Sequence, residues 1–257
     1  MLDAFIKRFG TTFFTELAKT RLDELKASAA NTRPKSTSWP PLPKDGARER
    51  VVLFEEDPAD PKGKSFEGVV IWHSETIKSK GNEGQLALRG DIEIQSRGLR
   101  MTMTLKPNLD ASLPASHVVE LTTAVSSEFA GGGIANIPGI LMKTNEQARG
   151  TPMAGLAVKV TDGFFLVGLS NVAADRARNL KLLLERSWFD IPMVYANQRR
   201  AIVAIEKGGS GDQLFKTVIT AWGPYPDATQ PEAAAPDPSN HDMPEEWKRT
   251  MGSQKAH

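Results

Sequence analysis

The sequence predicts a mainly β (α+β) fold: an antiparallel β-sandwich or curved sheet with two short helices late in the domain and a separate N-terminal amphipathic helix. Three observations predict it. Between 86 and 106, Leu86, Leu88, Ile92 and Ile94, then Leu99, Met101, Met103 and Leu105, alternate with Arg89, Asp91, Glu93, Arg100, Thr102, Thr104 and Lys106. A period of two belongs to strands with one face buried and one in water. Stretches of the same kind recur along the chain with turn residues between them, whereas residues 1–30 switch to a period near 3.6.

In chain order, 1–30 is the amphipathic helix. Leu2, Phe5, Ile6, Phe9 and Phe13 recur at three- and four-residue steps with Leu17 at the stripe's edge, while Phe14, Leu22 and Leu25 lie on another arc. The stripe therefore rotates past Gly10, and the helix bends there or touches two surfaces. Residues 31–47 carry Pro34, Pro40, Pro41 and Pro43 among polar neighbours and read as an extended linker. The β-rich domain follows over 48–222. Its strands are expected at 50–55, 66–73, 86–94, 99–106, 117–124, 155–161, 163–169, 189–195 and 199–206, with turns near Ser96-Arg97-Gly98 and Asn197-Gln198. Helices are expected at 172–186 and 212–222, packed on one side of the sheet. Residues 223–257 hold six prolines and an acidic bias, the composition of a tail largely without its own fold.

Composition closes several routes. The chain of 257 residues is 40% hydrophobic with a net charge of +1, so it can bury a core, and it offers no global field for nucleic acid. It has no cysteine, which removes disulfides, thiolate catalysis and Cys-ligated metal sites. No apolar run has the length of a membrane span, and a cytoplasmic location is the expectation.

Five motifs are candidates for chemistry. "FAGGGIANIPG" (129–139) has the look of an oxyanion loop, but no G-x-S-x-G nucleophile accompanies it, and Asp212 spoils the nearest string, "GGSGD". The glycines read better as a turn, since glycine alone reaches the positive-φ angles that sharp turns require, and Gly132→Ala would lower stability if φ is positive there. "EKGGSGDQLF" (206–215) runs from strand to helix as phosphate loops do; Ser210 to Gln213 instead matches a capping box, with Ser210 as the N-cap. "FEEDPADPKGK" (54–64) supplies Glu55, Glu56, Asp57 and Asp60 as potential calcium ligands, yet fits a hairpin connection better. His73 with Glu75, and His117 with Glu120, are halves of metal sites, the second poor because its members face opposite sides of a strand. Trp188, Phe189 and Tyr195 interleave with Arg186, Arg199 and Arg200 but have apolar neighbours, which points to core packing and not to stacking on bases.

No catalytic motif, cofactor site or metal site emerges, and the reading is non-enzymatic. The N-terminal helix could lie on a membrane, pack on its own domain or join a partner. Its polar face nearly balances acids against bases, which disfavours a membrane surface. The rotating stripe and the proline linker favour a protein partner, with Leu2, Phe5, Ile6, Phe9, Phe13, Phe14 and Leu17 as contacts. In the tail, Trp247 within "MPEEWKRTM" is a second contact, an aromatic island able to dock as it folds.

Residues 50–222 resemble a family of α-proteobacterial proteins of the rhizobial type, through "RVVLFEEDPADPKGKSFEGVVIW", "LPASHVVEL", "GGGIANIPGILMK", "DGFFLVGLS" and "ERSWFDIPMVYANQRRAIVAIEKG". The resemblance implies no activity, cofactor or catalytic residue. Some members place a membrane segment before this domain, so a membrane-proximal location is implied, although this chain carries an amphipathic helix there. Together these readings make the expected function a protein interaction or assembly subunit docking through its two ends. An envelope-associated small-molecule-binding domain, or an enzyme of another type, is the alternative.

Overall fold

Strict alternation produces one continuous antiparallel sheet, so of the two architectures the sequence allows it is the curved sheet that forms. In the computed structural model, residues 42–43, 46–79, 82–110 and 113–223 are described. The strands are β1 (Arg48–Asp57), β2 (Asp60–Ser79), β3 (Asn82–Ile94), β4 (Leu99–Pro107), β5 (Ala115–Val125), β6 (Ile134–Asn136), β7 (Leu141–Lys143), β8 (Thr151–Pro152), β9 (Gly155–Thr161), β10 (Phe164–Ser170), β11 (Trp188–Tyr195) and β12 (Arg200–Glu206). Two helices, α1 (Ala173–Glu185) and α2 (Gly208–Ala221), complete the domain. The strand order is β8-β7-β11-β12-β1-β2-β3-β4-β5-β10-β9, with β6 also on β11, and the sheet curls into a half-barrel.

Cross-strand register sorts the side chains into two faces. Val51, Leu53, Val70, Ile92, Met101 and Leu121 point inward and are buried. The inner face is filled by the chain's own helices. Phe215 of α2 meets Trp72 edge-on at 5.1 Å and Phe189 at 5.7 Å, and the Trp72 indole donates to the Glu206 carbonyl at 2.9 Å. Such ring pairs add about 0.5–1.5 kcal/mol each beyond their buried area. Helix α1 contributes Leu180, Leu182 and Leu183, together with Asn179, which is 1% exposed. Both amide atoms of Asn179 clamp the Ala154 main chain, at 2.9 and 2.8 Å, and thereby fix where β9 begins.

The expected strands and both helices form, β9 with the expected limits and most of the others with shifted ones. The acidic string closes a tight hairpin between Asp57 and Asp60, shorter than expected, and β2 runs well beyond 66–73 in both directions. Three short strands, β6, β7 and β8, were not expected. Pro192 separates the first two, and β8 pairs in turn with β7. The bonds from Lys207 N to the Ser187 carbonyl and from Tyr195 N to the Arg199 carbonyl point the odd-numbered residues of β11 at β12. Position 192 therefore faces the other way, where proline has no N–H to give. The outer ladder breaks there, and β7 pairs with 188–190 while β6 pairs with 194–195. Helix α2 begins at Gly208, four residues before its expected start. The expected N-terminal helix at 1–30, most of the linker and the tail from 224 lie outside the described residues.

Candidate functional site

Leu2, Phe5, Ile6, Phe9, Phe13, Phe14, Leu17 and Trp247 all fall outside the described residues. The structure instead places the other candidate motifs, and most of them prove to be spent on the chain itself.

Gly131–Gly133 close over a buried ionic cluster. Glu55, 3% exposed, accepts from Arg97 through Nε and Nη2, both at 3.0 Å, and from the Tyr195 hydroxyl at 2.8 Å. The Arg97 guanidinium lies over Phe66 at 4.8 Å and Phe129 at 5.6 Å, and Phe129 meets Tyr195 edge-on at 4.9 Å. Burial, then the bond to Glu55, drives the Tyr195 phenol well above its ordinary pKa and keeps it a donor. The triplet is the roof of this cluster. A Cβ on Gly131 would lie 2.4 Å from the Phe129 ring and 2.8 Å from Tyr195, so only glycine fits. Two of its carbonyls face the β11–β12 turn: Ala196 N donates to Gly133 O at 2.9 Å and Asn197 N to Gly131 O at 3.2 Å. The Gly132 N–H is spent on the Phe129 carbonyl at 3.0 Å. An oxyanion hole needs convergent free N–H groups, and this loop turns oxygens toward its neighbours.

The second glycine stretch corrects the capping-box expectation. Lys207, not Ser210, precedes the first helical residue, and Ser210 lies inside α2 with its hydroxyl on Glu49 Oε1 at 2.9 Å. The anion at this helix start is the chain's own Glu49 carboxylate. It packs where a Cβ on Gly208 would lie, 2.0 Å from Glu49 Cδ, and Gly208 has φ +65°. An acid at the first turn complements the helix dipole and takes the place a phosphate would seek. Lys207 is fully buried. Its Nζ donates to the Leu183 carbonyl at 2.9 Å, pairs with Asp212 at 2.8 Å and lies 4.9 Å above the Phe215 ring. Burial lowers its pKa and Asp212 opposes that shift.

The remaining acids and bases are likewise engaged. Asp57 pairs with Lys64 at 2.8 Å and accepts from Ala59 N, while Asp60 accepts from Lys62 N. Glu56 accepts from Arg200 N at 3.2 Å, so the acidic string is dispersed and does not converge on a cation. On the outer face Arg89 bridges Asp91 at 3.1 Å and Glu75 at 3.6 Å, and His73 lies 3.7 Å from Asp91. Among the described residues no cluster of three or more His, Asp or Glu is arranged to hold a metal. His117 and Glu120 part to opposite faces. Glu120 pairs with Lys106 at 2.6 Å, whereas His117 is buried 5.0 Å from the Trp222 ring, with Nδ1 3.1 Å from the Ser116 hydroxyl. That hydroxyl donates to the Ser170 carbonyl at 2.9 Å, so it accepts from His117 Nδ1–H. Burial first, then Arg176, pushes His117 down to about 4. Trp188, Phe189 and Tyr195 are core residues, as their apolar neighbours predict.

The most exposed apolar strand residue among those described lies at the rim of the sheet. The edge strand β9 presents Leu156, 71% exposed, and Val158, 43% exposed, on the outer face. Its extent was legible in the sequence, but its position at the rim of the sheet is topological and no local signal carries it. Neither described helix is long and apolar enough to cross a membrane. No family model, curated protein or solved structure matches the chain.

Proposed function

We propose that the chain is a non-enzymatic assembly subunit of the cytoplasm or the membrane-proximal zone, binding protein partners through its N-terminal helix and its C-terminal tail. One observation carries this reading. The hollow of the half-barrel, where a sheet of this shape would hold a small molecule, is filled by α1 and α2, with Phe215 and Leu183 each 1% exposed or less. The buried charges Glu55, Lys207 and Lys143 are matched within the chain, Lys143 by Asp190 at 2.6 Å. A scaffold closed in this way has its surface and its two ends left for recognition. The near-neutral charge argues against nucleic acid as a partner.

Among the described residues the small-molecule alternative has a foothold in a shallow hollow of about 230 Å³ beside the turn at Gln95, lined by Glu93, Arg100 and Ser126. Arg100 and Glu93 are bonded to each other there, which leaves little free polarity for a ligand. The deciding experiment is affinity capture with the intact chain and with residues 1–46 or 223–257 removed. Partners lost with either end support the proposal; a partner set unchanged by both removals overturns it.

A further inference from the structure

We propose that β9 is where a second copy of this chain joins the sheet, antiparallel and edge to edge, to give a two-fold dimer. The inference stands on β9 alone and not on the two ends, so it survives or fails independently of the partner-binding reading.

The two rims of the sheet are unlike. On one side β8 is two residues long, ends in Pro152, and offers no ladder to extend. On the other, β9 is seven residues of "GLAVKVT", and its outer-face residues Leu156 and Val158 are exposed. Native sheets usually blunt such an edge with charge or a bulge, and in β9 both come only at the far end, at Lys159 and the register shift opposite Phe164, which leaves 155–158 plain. β9 is also held firmly in place: Asn179 clamps Ala154, and Arg178 Nη2 donates to the Pro152 carbonyl at 2.7 Å.

Hydrogen-bond phase shows what the rim can accept. Ser170 N donates to the Ala154 carbonyl at 2.9 Å, which makes 154 and 170 a hydrogen-bonded pair. In an antiparallel ladder the phase alternates, so 156 and 158 also aim their main chains at β10. Gly155, Ala157 and Lys159 therefore aim theirs outward. A two-fold axis at Ala157 sets Ala157 opposite Ala157 of the second copy and Gly155 opposite its Lys159, closing about six main-chain bonds. In the same register Leu156 faces Val158 of the second copy, in the closely spaced positions between bonds where side chains touch best. No like charges meet head-on. Lys159 faces a residue without a side chain, and it already pairs with Asp162 at 2.8 Å.

A second copy fits this rim better than the first part of the chain's tail, residues 224–238, does. Pro224, Pro226, Pro231, Pro236 and Pro238 leave no five consecutive residues between 224 and 238 free of proline, and each proline lacks the donor that a ladder requires.

The test is the molar mass of the full chain in solution, by light scattering and sedimentation over a range of concentrations. The wild type is expected to dimerise. Ala157→Pro removes an N–H that points away from β10, so the monomer should keep its circular dichroism while its dimer dissociation constant rises at least ten-fold. If that variant misfolds, Ala157→Cys decides. The chain has no other cysteine, and paired Cα atoms about 5.5 Å apart lie within disulfide reach. Mild oxidation should then give a covalent dimer, and the exposed control Val172→Cys should not. A wild type monomeric at every concentration, as it would be if some other segment of the chain covered β9, overturns the proposal. So does a dimer that folded Ala157→Pro leaves intact, or that Ala157→Cys fails to cross-link.

Discussion

The two glycine-rich stretches, Gly131–Gly133 and Gly208–Gly211, look alike in sequence and are used in opposite ways. The first gives up side-chain volume so that the rings of Phe129 and Tyr195 can close over Glu55 and Arg97. The second gives up volume so that a carboxylate, Glu49, can reach a helix start. In both, the space that the glycines vacate is taken by the chain's own groups. Glycine clusters next to strands and helices are therefore poor evidence of a phosphate or oxyanion site until it is known which groups occupy the vacated space. The clusters beneath them differ as well. Glu55 is bonded twice by Arg97 and once by Tyr195, whereas Lys207 leans on a backbone carbonyl and on an acid whose side chain is 36% exposed.

The strongest way to break this comparison is to remove a partner under the first stretch. Arg97→Ala strands the Glu55 carboxylate in the core, and loss of about 3–5 kcal/mol is expected in urea or guanidinium unfolding. A loss below about 1 kcal/mol would mean that water reaches Glu55 and that the glycine roof is not closed.

His117 is the counter-case, a base buried without an acid. Its pKa falls from an ordinary 6.5 to about 4, so between those pH values the unfolded chain binds the proton and the folded chain does not. Stability contributed by the neutral imidazole is therefore present above 6.5 and is lost as pH falls toward 4. The shift corresponds to about 3 kcal/mol across that window. His117→Phe should flatten the pH dependence of unfolding between 7 and 4 by about that amount. Equal slopes in the two proteins would show the imidazole to be solvated and detached from Trp222.

Much of the fold could be read from alternation alone, because a half-buried strand writes its face into every second residue; β9, for example, was legible residue for residue. What could not be read depended on contacts far along the chain. Nothing near Ile134 or Leu141 announces a strand, since β6 and β7 exist only to serve the side of β11 that Pro192 interrupts. The helix start at Gly208 was hidden because its acid comes from Glu49, on β1, and a local capping box was available to explain the same residues. The ionic cluster was hidden for a similar reason. Glu55 sits in an acidic turn-like string, and its burial follows only from pairing with Arg97 and Tyr195 across the sheet.

Within the first stretch, neighbouring glycines separate two causes of glycine preference. Gly132 has φ +71° with open space, the nearest contact being Ala196 Cβ at 3.6 Å, so Gly132→Ala pays only for backbone strain. About 1–2 kcal/mol is expected. Gly131→Ala has no such φ and must instead displace two rings, so it should also loosen the Tyr195 environment, which near-ultraviolet circular dichroism reads and which Gly132→Ala should leave unchanged. Identical spectra for both variants would remove the distinction between space and strain.

The smallest expected effect tests the second stretch. If Ser210 were the N-cap, Ser210→Ala would cost about 1 kcal/mol or more. In the structure Ser210 is already helical and makes one exposed bond to Glu49, at a position where alanine is the better helix former. The two contributions oppose each other, and the net change is expected within about 0.5 kcal/mol. Glu49→Ala, by contrast, removes the acid placed against this helix start and should cost more than the serine does, because the first turn holds no acid of its own to compensate. Reversal of that order, with the serine variant the weaker protein, would return the helix start to Ser210 and reopen the first turn of α2 to an external anion.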